Sequence, residues 1–171
     1  MVGIDFGKPL FTREEIQRKI QEIGSRVSTD YADKDLIAVG VLKGALFFMS
    51  DLLRSLRISV RMDFIHCTSS ATKGKDGNPV RMLCDMKEDI KDKHVLLIED
   101  IMDSGVTIDY LKKMLLARGP ASLKVCVLLD KSDRRQVPIE ADYAGFRIPN
   151  KYVVGYGLDY NELYRNLRFV G

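Results

Sequence analysis

The run Val95-Leu-Leu-Ile98 passes without a break into Glu99-Asp100-Ile-Met-Asp103 and then into Ser104-Gly105-Val106-Thr107. A continuous apolar segment of this kind is the pattern of a strand buried on both faces of a parallel sheet. Beyond it Ile108, Leu111 and Leu115 fall at helical spacing. The segment reads as strand, tight loop and helix, the repeating unit of a doubly wound sheet. Amides at a helix start have no partner inside the helix, and the dipole there favours negative charge, so the loop suits a phosphate. Glu99 and Asp100 would repel a bare phosphate. Two carboxylates beside an anion site are reconciled if they face a diol or a divalent cation, which points to a phosphorylated ribose carrying Mg²⁺.

Two more segments repeat the pattern. Leu36-Ile-Ala-Val-Gly-Val41 is followed by Leu42-Lys43-Gly44 and the apolar stretch from Ala45 to Leu53, and Leu123 to Leu129 ends in Asp130-Lys131. Lys43 taken alone is a solvated turn lysine; its place at the carboxyl end of a second strand–loop–helix unit sets it beside the crevice where open α/β sheets collect ligands. Three such units predict an α/β fold, a doubly wound parallel sheet flanked by helices. Thr12-Arg-Glu-Glu15 has the form of a capping box, with Ile16, Ile20, Ile23 and Val27 as the apolar stripe of a first helix. The helix from about Val106 is expected to stop at Gly119-Pro120. Ile58, Val60, Met62 and Phe64 alternate, as do Val80, Met82, Cys84 and Met86, which predicts a strand pair. The connection from Thr68 to Pro79 is too long and too rich in Gly, Ser and Lys for a tight hairpin, and reads either as a lid or as a loose hairpin tip.

With 171 residues, 46% of them hydrophobic and 30% charged, one domain with one substantial core is expected. Its core would span about 12–136, with a hood made of about 137–171 plus the N-terminal segment. In that last part the alternation gives way to Tyr143, Phe146, Tyr152, Tyr156, Tyr160 and Tyr164. Such aromatics commonly fill a core, but one at the lip of a phosphate crevice can stack a flat base. A net charge of +3 is too slight to indicate a nucleic-acid partner without a clustered patch. Cys67, Cys84 and Cys126 are odd in number and form no CxxC pair, so they read as packing residues rather than a disulfide framework or zinc site. Met1-Val-Gly-Ile-Asp5 has neither the basic start nor the apolar core of a secretory signal, and no apolar run approaches a membrane span; no membrane association and a cytoplasmic setting are expected. His66 and His94 are isolated and receive no role.

Absent motifs narrow the chemistry. There is no G-x-x-x-x-G-K-[ST], no G-x-G-x-x-G, no H-E-x-x-H and no EF-hand loop. Two histidines leave no evident Ser–His–Asp or Cys–His set.

From about Phe11 to Val170 these residues resemble the purine phosphoribosyltransferases of the hypoxanthine-guanine type. Glu99-Asp100-Ile-Met-Asp103-Ser104-Gly105-Val106-Thr107 is similar to that family's phosphoribosyl pyrophosphate loop, Leu42-Lys43-Gly44 to its pyrophosphate loop, and Lys131, Tyr152-Val153-Val154 and the stretch from Val154 through Asp159 to Arg165 to its purine and second-metal region. The family's lid usually carries a Ser-Tyr pair, where this chain has Thr68-Ser69-Ser70-Ala71, so no residue here inherits the tyrosine's role.

The resemblance implies the type I phosphoribosyltransferase fold and transfer of a 5-phosphoribosyl group from phosphoribosyl pyrophosphate to hypoxanthine or guanine, giving IMP or GMP and pyrophosphate. In its terms the loop from Asp103 through Ser104, Gly105 and Val106 to Thr107 holds the 5′-phosphate. Glu99 and Asp100 take the ribose hydroxyls and Mg²⁺; Lys43, Gly44 and Arg165 take pyrophosphate; and Asp159 helps a second Mg²⁺. Asp103 becomes the general base, with a helix N-cap as its alternative role. Lys131 donates to the 6-oxo group, Tyr152 stacks on the purine, and carbonyls near Val153 and Asp159 accept from a 2-amino group. A homodimer or homotetramer is implied as well. The competing readings are a xanthine-preferring enzyme, and a non-catalytic regulator on the same fold that senses phosphoribosyl pyrophosphate and binds nucleic acid.

Overall fold

The capping box closes as the sequence demands. Glu15 N donates to Thr12 Oγ1 at 3.3 Å and Thr12 N donates to Glu15 Oε2 at 2.8 Å, which starts helix α1 (Arg13–Asp30). The structure, a computed structural model, describes residues 8–69 and 80–171. After α1 come β1 (Leu36–Leu42), α2 (Leu46–Ser55), β2 (Arg61–Ser69), β3 (Val80–Cys84), β4 (His94–Met102), α3 (Val106–Leu116), β5 (Ser122–Asp130) and β6 (Tyr143–Arg147).

Alternation along each buried strand sends successive side chains to opposite faces. Leu36 and Ala38 of β1, Leu96 and Ile98 of β4, and Cys126 and Leu128 of β5 join the core under α1 and α2, to which those helices give Ile16, Ile20, Ile23, Val27, Phe48, Met49 and Leu52. Ile37, Val39, Val95, Leu97, Val125 and Val127 pack on the other side with Ile108, Leu111 and Leu115 of α3. Burial on both faces is the reason these strands read as unbroken apolar runs.

The sheet order is β3-β2-β1-β4-β5-β6. All neighbours pair parallel except β2 with β3, so the sheet is mixed with one antiparallel edge. From β1 the chain winds outward through α2 to β2, then returns to lay β4 on the other side of β1 and winds the opposite way through α3 to β5. The reversal falls between β1 and β4, and the crevice outside their carboxyl ends is where open sheets of this class bind ligands. Lys43 follows β1 there, and the Asp103 loop follows β4.

Three expectations shift. Tyr143–Arg147 belongs to the main sheet as β6, pairing parallel with β5, so the core runs past the boundary expected at 136. A five-residue edge strand that follows β5 with only a 3-10 turn at Ser132–Arg134, and no α-helix, between them lacks the apolar periodicity that would mark it in the sequence. Next, β2 starts at Arg61 rather than near Ile58, and Met62 is exposed. Finally, α3 ends at Leu116, and two turn bonds, Arg118 N to Leu115 O and Gly119 N to Leu116 O, carry the chain to Gly119. Of the connection from Thr68 to Pro79, residues 70–79 lie outside the described residues.

Asp63 on β2 ties that strand to the segment leading to β4. Its Oδ2 accepts from Lys87 N at 2.6 Å and Glu88 N at 2.8 Å, and its Oδ1 accepts from Phe64 N at 2.7 Å. Burial pushes its pKa up, but these three N–H donors and the Lys87 charge outweigh it and hold the carboxyl below its usual value. A folded-state pKa below the unfolded one contributes stability that is complete above the unfolded value and lost as pH falls through the folded value. Asp63→Ala should therefore lower stability by about 1–2 kcal/mol near neutrality, the site being partly exposed. Melting temperatures at neutral pH and at about pH 3 check this: the gap between wild type and variant should narrow in acid.

Candidate active site

The loop after β4 is built from its far side. Lys131 N donates to Met102 O at 2.9 Å, Gln136 N to Ser104 O at 2.9 Å, and Arg135 Nη1 to Asp103 O at 2.6 Å and Met102 O at 3.2 Å, while Arg135 Nη2 pairs with Asp130. The segment that leaves β5 is thus the wall against which the loop after β4 is shaped. Gly105 closes the loop at φ +82°, with Ile139 and the Arg135 stem so near that an added Cβ would lie 2.7 Å and 2.9 Å from them. The first backbone bond of α3 runs from Asp109 N to Gly105 O at 2.9 Å, so the amides before it face outward from the helix start. Val106 N makes one long contact to Ser104 Oγ at 3.4 Å, and Val106 and Thr107 open the helix.

Asp103 does not cap α3; Gly105 holds the N-cap position. Its Oδ2 lies 3.7 Å from Lys131 Nζ and its Oδ1 lies 3.1 Å from Arg134 Nε. The Arg134 contact is an ion pair without hydrogen-bond alignment, and Oδ1 has no hydrogen-bond partner among the described residues. A carboxylate held by charge in this way keeps acceptor capacity for a donor in the cleft.

Asp100 is 8% exposed, and its Oδ1 accepts from Ile101 N at 2.8 Å. Desolvation raises its pKa to about 6; the Ile101 amide and Arg165 pull the other way, and Asp159 adds to the rise. The backbone of Gly44 lies directly on it, since a Cβ there would fall 1.9 Å from Asp100 Oδ2. Glu99 points to the opposite face of the sheet, as its neighbour in a strand must. It is half-buried, and desolvation, then Asp100, pushes its carboxyl well above the usual range.

The segment after β6 completes the crevice. Arg165 Nη2 pairs with Asp159 Oδ1 at 2.9 Å and Glu162 Oε1 at 3.2 Å, and its Nη1 donates to Gly157 O at 2.7 Å. Lys43 Nζ pairs with Glu162 Oε2 at 2.8 Å. Gly157, at φ +105°, is seated against Gly44, where a Cβ would come 2.0 Å from the Gly44 carbonyl oxygen. Tyr152 is 71% exposed, its hydroxyl donating to Asp159 O at 2.7 Å and its ring edge-on to Tyr160 with centroids 6.0 Å apart. That carbonyl keeps one lone pair for another donor.

A cleft of about 480 Å³ gathers six of the residues singled out from the sequence: Asp100, Asp103, Lys131, Tyr152, Val153 and Asp159. Ile101, Arg134, Asn150 and Leu158 also line it. A larger cleft of about 580 Å³, between α1, α2 and Tyr156, contains none of them. Chemistry rather than volume marks the smaller one: acids, a buried lysine and an exposed aromatic face converge there. Glu99 is not on its wall. Arg134 and Asn150 went unnoticed in the sequence; the only hint was the basic pair Arg134-Arg135 just beyond Asp130-Lys131.

Asp100 and Asp159 offer hard oxygen donors toward one cleft, which fits Mg²⁺. Among the described residues no three acidic, histidine or cysteine side chains form a metal cage. Such a donor set suits a cation that takes the rest of its shell from phosphate and water.

The chain matches the phosphoribosyl transferase domain family over residues 10–161. The hypoxanthine-guanine phosphoribosyltransferase of Bacillus subtilis (strain 168) is 41% identical over 171 residues, covering 100% of this chain and 95% of that protein. That of Streptococcus pneumoniae (strain ATCC BAA-255 / R6) is 42% identical with the same coverage. A crystal structure of a hypoxanthine phosphoribosyltransferase from Staphylococcus aureus superposes with a TM-score of 0.93 at 41% identity, over 98% of this chain and 91% of that one.

Proposed function

The chain belongs to the phosphoribosyltransferase family, as a purine-salvage enzyme of the hypoxanthine-guanine kind, and we propose that it moves the 5-phosphoribosyl group from phosphoribosyl pyrophosphate to N9 of hypoxanthine or guanine, releasing pyrophosphate with IMP or GMP. The observation that carries the substrate assignment is the cleft in which Asp103 and the buried Lys131 face each other beside the exposed ring of Tyr152.

In this reading the amides from Asp103 to Thr107, with the Ser104 and Thr107 hydroxyls, hold the 5′-phosphate. Asp100 holds the ribose hydroxyls, while Glu99, on the opposite face of the strand and off the cleft wall, does not take the role expected of it. Lys43, the Gly44 amide and Arg165 hold the pyrophosphate. Asp100 and Asp159, without the Glu99 expected beside them, would bind Mg²⁺, which would supply positive charge to the leaving group. Positive charge develops on the ribose and negative charge on pyrophosphate as the bond breaks, so the protein acts mainly through preorganised electrostatics and positioning. Asp103 takes the proton from the purine ring. Tyr152 stacks on the base, and carbonyls at Val153 and Asp159 accept from the 2-amino group of guanine.

Lys131 sets base identity. An ammonium only donates, so it matches the 6-oxo acceptor of hypoxanthine or guanine and opposes the 6-amino group of adenine. Pyrophosphate release measured with Mg²⁺, phosphoribosyl pyrophosphate and each purine in turn tests the proposal. Hypoxanthine or guanine should be used and adenine refused; use of adenine, or release with no purine, would contradict it. Lys131→Gln should lower kcat/KM for hypoxanthine about ten- to a hundredfold and narrow the preference over adenine.

The reaction is set in the cytoplasm, in keeping with three free cysteines. Among the described residues no helix is long and apolar enough to cross a membrane. A homodimer or homotetramer forms through the face around the Lys43 loop, where Leu46 and Phe47 are exposed at 45% and 39%.

A further inference from the structure

The two cations assigned to pyrophosphate already share an anion. Glu162 Oε2 lies 2.8 Å from Lys43 Nζ and its Oε1 lies 3.2 Å from Arg165 Nη2, so one carboxylate bridges groups 119 residues and three residues away in sequence. The backbone is arranged to put it there. Glu162 has φ +65°, a left-handed conformation that a residue of this type seldom adopts, and Asp159 Oδ2 fixes it by accepting from Glu162 N at 2.8 Å. Asp159 also pairs with Arg165, so a single acid orients both members of the contact. Glu162 is exposed, and a glycine or asparagine would sit more easily at that φ.

Resting on the reading of this site as a phosphoribosyl pyrophosphate site, we propose that Glu162 is an internal stand-in for pyrophosphate, a carboxylate that occupies Lys43 and Arg165 in the empty enzyme and must be displaced when the diphosphate binds. It keeps the two cations aimed at one place while the site is empty. It also competes with the diphosphate, which weakens the hold on the product and speeds its departure. Glu162 is thus a positioning residue that tunes pyrophosphate affinity without touching the reacting atoms.

Titration calorimetry with inorganic pyrophosphate and Mg²⁺ tests this on wild type, Glu162→Gln and Glu162→Asn. Asparagine is the residue best suited to the left-handed backbone after glycine, so its fold is secure even if the glutamine variant is strained. Removing two partly exposed ion pairs that compete with the ligand should tighten pyrophosphate about three- to tenfold in both variants. IMP, which lacks the diphosphate, should bind all three proteins with one affinity. Pyrophosphate binding that is unchanged or weaker in both variants would overturn the role of Glu162. A wild type that does not bind pyrophosphate with Mg²⁺ would overturn the site assignment along with it.

Discussion

Asp103→Asn should lower turnover about a hundred- to ten-thousandfold at saturating substrate, with the affinity for phosphoribosyl pyrophosphate changed only slightly. The expectation follows from where the carboxylate sits. It lines the cleft, faces Lys131 and Arg134, and takes no part in capping α3, whose N-cap is Gly105. Both roles weighed for this residue in the sequence were reasonable, because aspartate is a favoured cap and a favoured base. The geometry separates them, since a cap would place the carboxylate on the N–H groups of the first turn. An amide keeps the shape and an oxygen toward Lys131 but cannot accept a proton at neutral pH. Single-turnover rates with hypoxanthine, set beside the melting temperature, distinguish lost chemistry from lost structure; a turnover close to wild type would remove Asp103 from the role of base.

Gly44→Ala should reduce kcat/KM for phosphoribosyl pyrophosphate about a hundred- to a thousandfold, with IMP binding largely kept. The cause is contact rather than backbone freedom. An added methyl would fall 1.9 Å from Asp100 Oδ2 and 2.6 Å from its Cγ, and Asp100 cannot give way without losing its bond from Ile101 N. The loop would retreat instead, and it is braced on its other side by Gly157, whose Cα has room for no side chain against the Gly44 carbonyl. Lys43 and the Gly44 amide would then move off the position of the leaving group, while the loop at 103–107 stayed in place. Initial rates at varied phosphoribosyl pyrophosphate, with a separate IMP titration, give the two quantities; equal losses in both would point to general unfolding.

Much of this was legible in the chain. Apolar runs at Leu36–Val41, Val95–Ile98 and Leu123–Leu129 lie in strands buried on both faces, and polar residues that follow the second and third, Asp100, Asp103 and Lys131, line one cleft. Strand-end chemistry can be read from sequence because a loop at the carboxyl edge of a parallel sheet has nothing to bury. Less legible was anything that depends on direction. That Asp100 turns toward Gly44 while Glu99 turns to the other face follows from strand alternation, but which face holds the ligand does not. Glu162, Arg134 and Asn150 sit in segments without periodicity, where position is set by left-handed backbone at Glu162, a 3-10 turn at Arg134 and side-chain bonds rather than by pattern. The short β6 was hidden for the same reason: its partner, β5, supplies the register.

The whole account turns on one placement, an activated sugar gripped through its phosphate by the bend after β4. A crystal structure of the protein with phosphoribosyl pyrophosphate and Mg²⁺ measures it directly. The 5′-phosphate should lie on the amides of residues 103–107 with the diphosphate reaching Lys43 and Arg165. A sugar phosphate bound in the larger cleft between α1 and α2, or anywhere away from that bend, would contradict it.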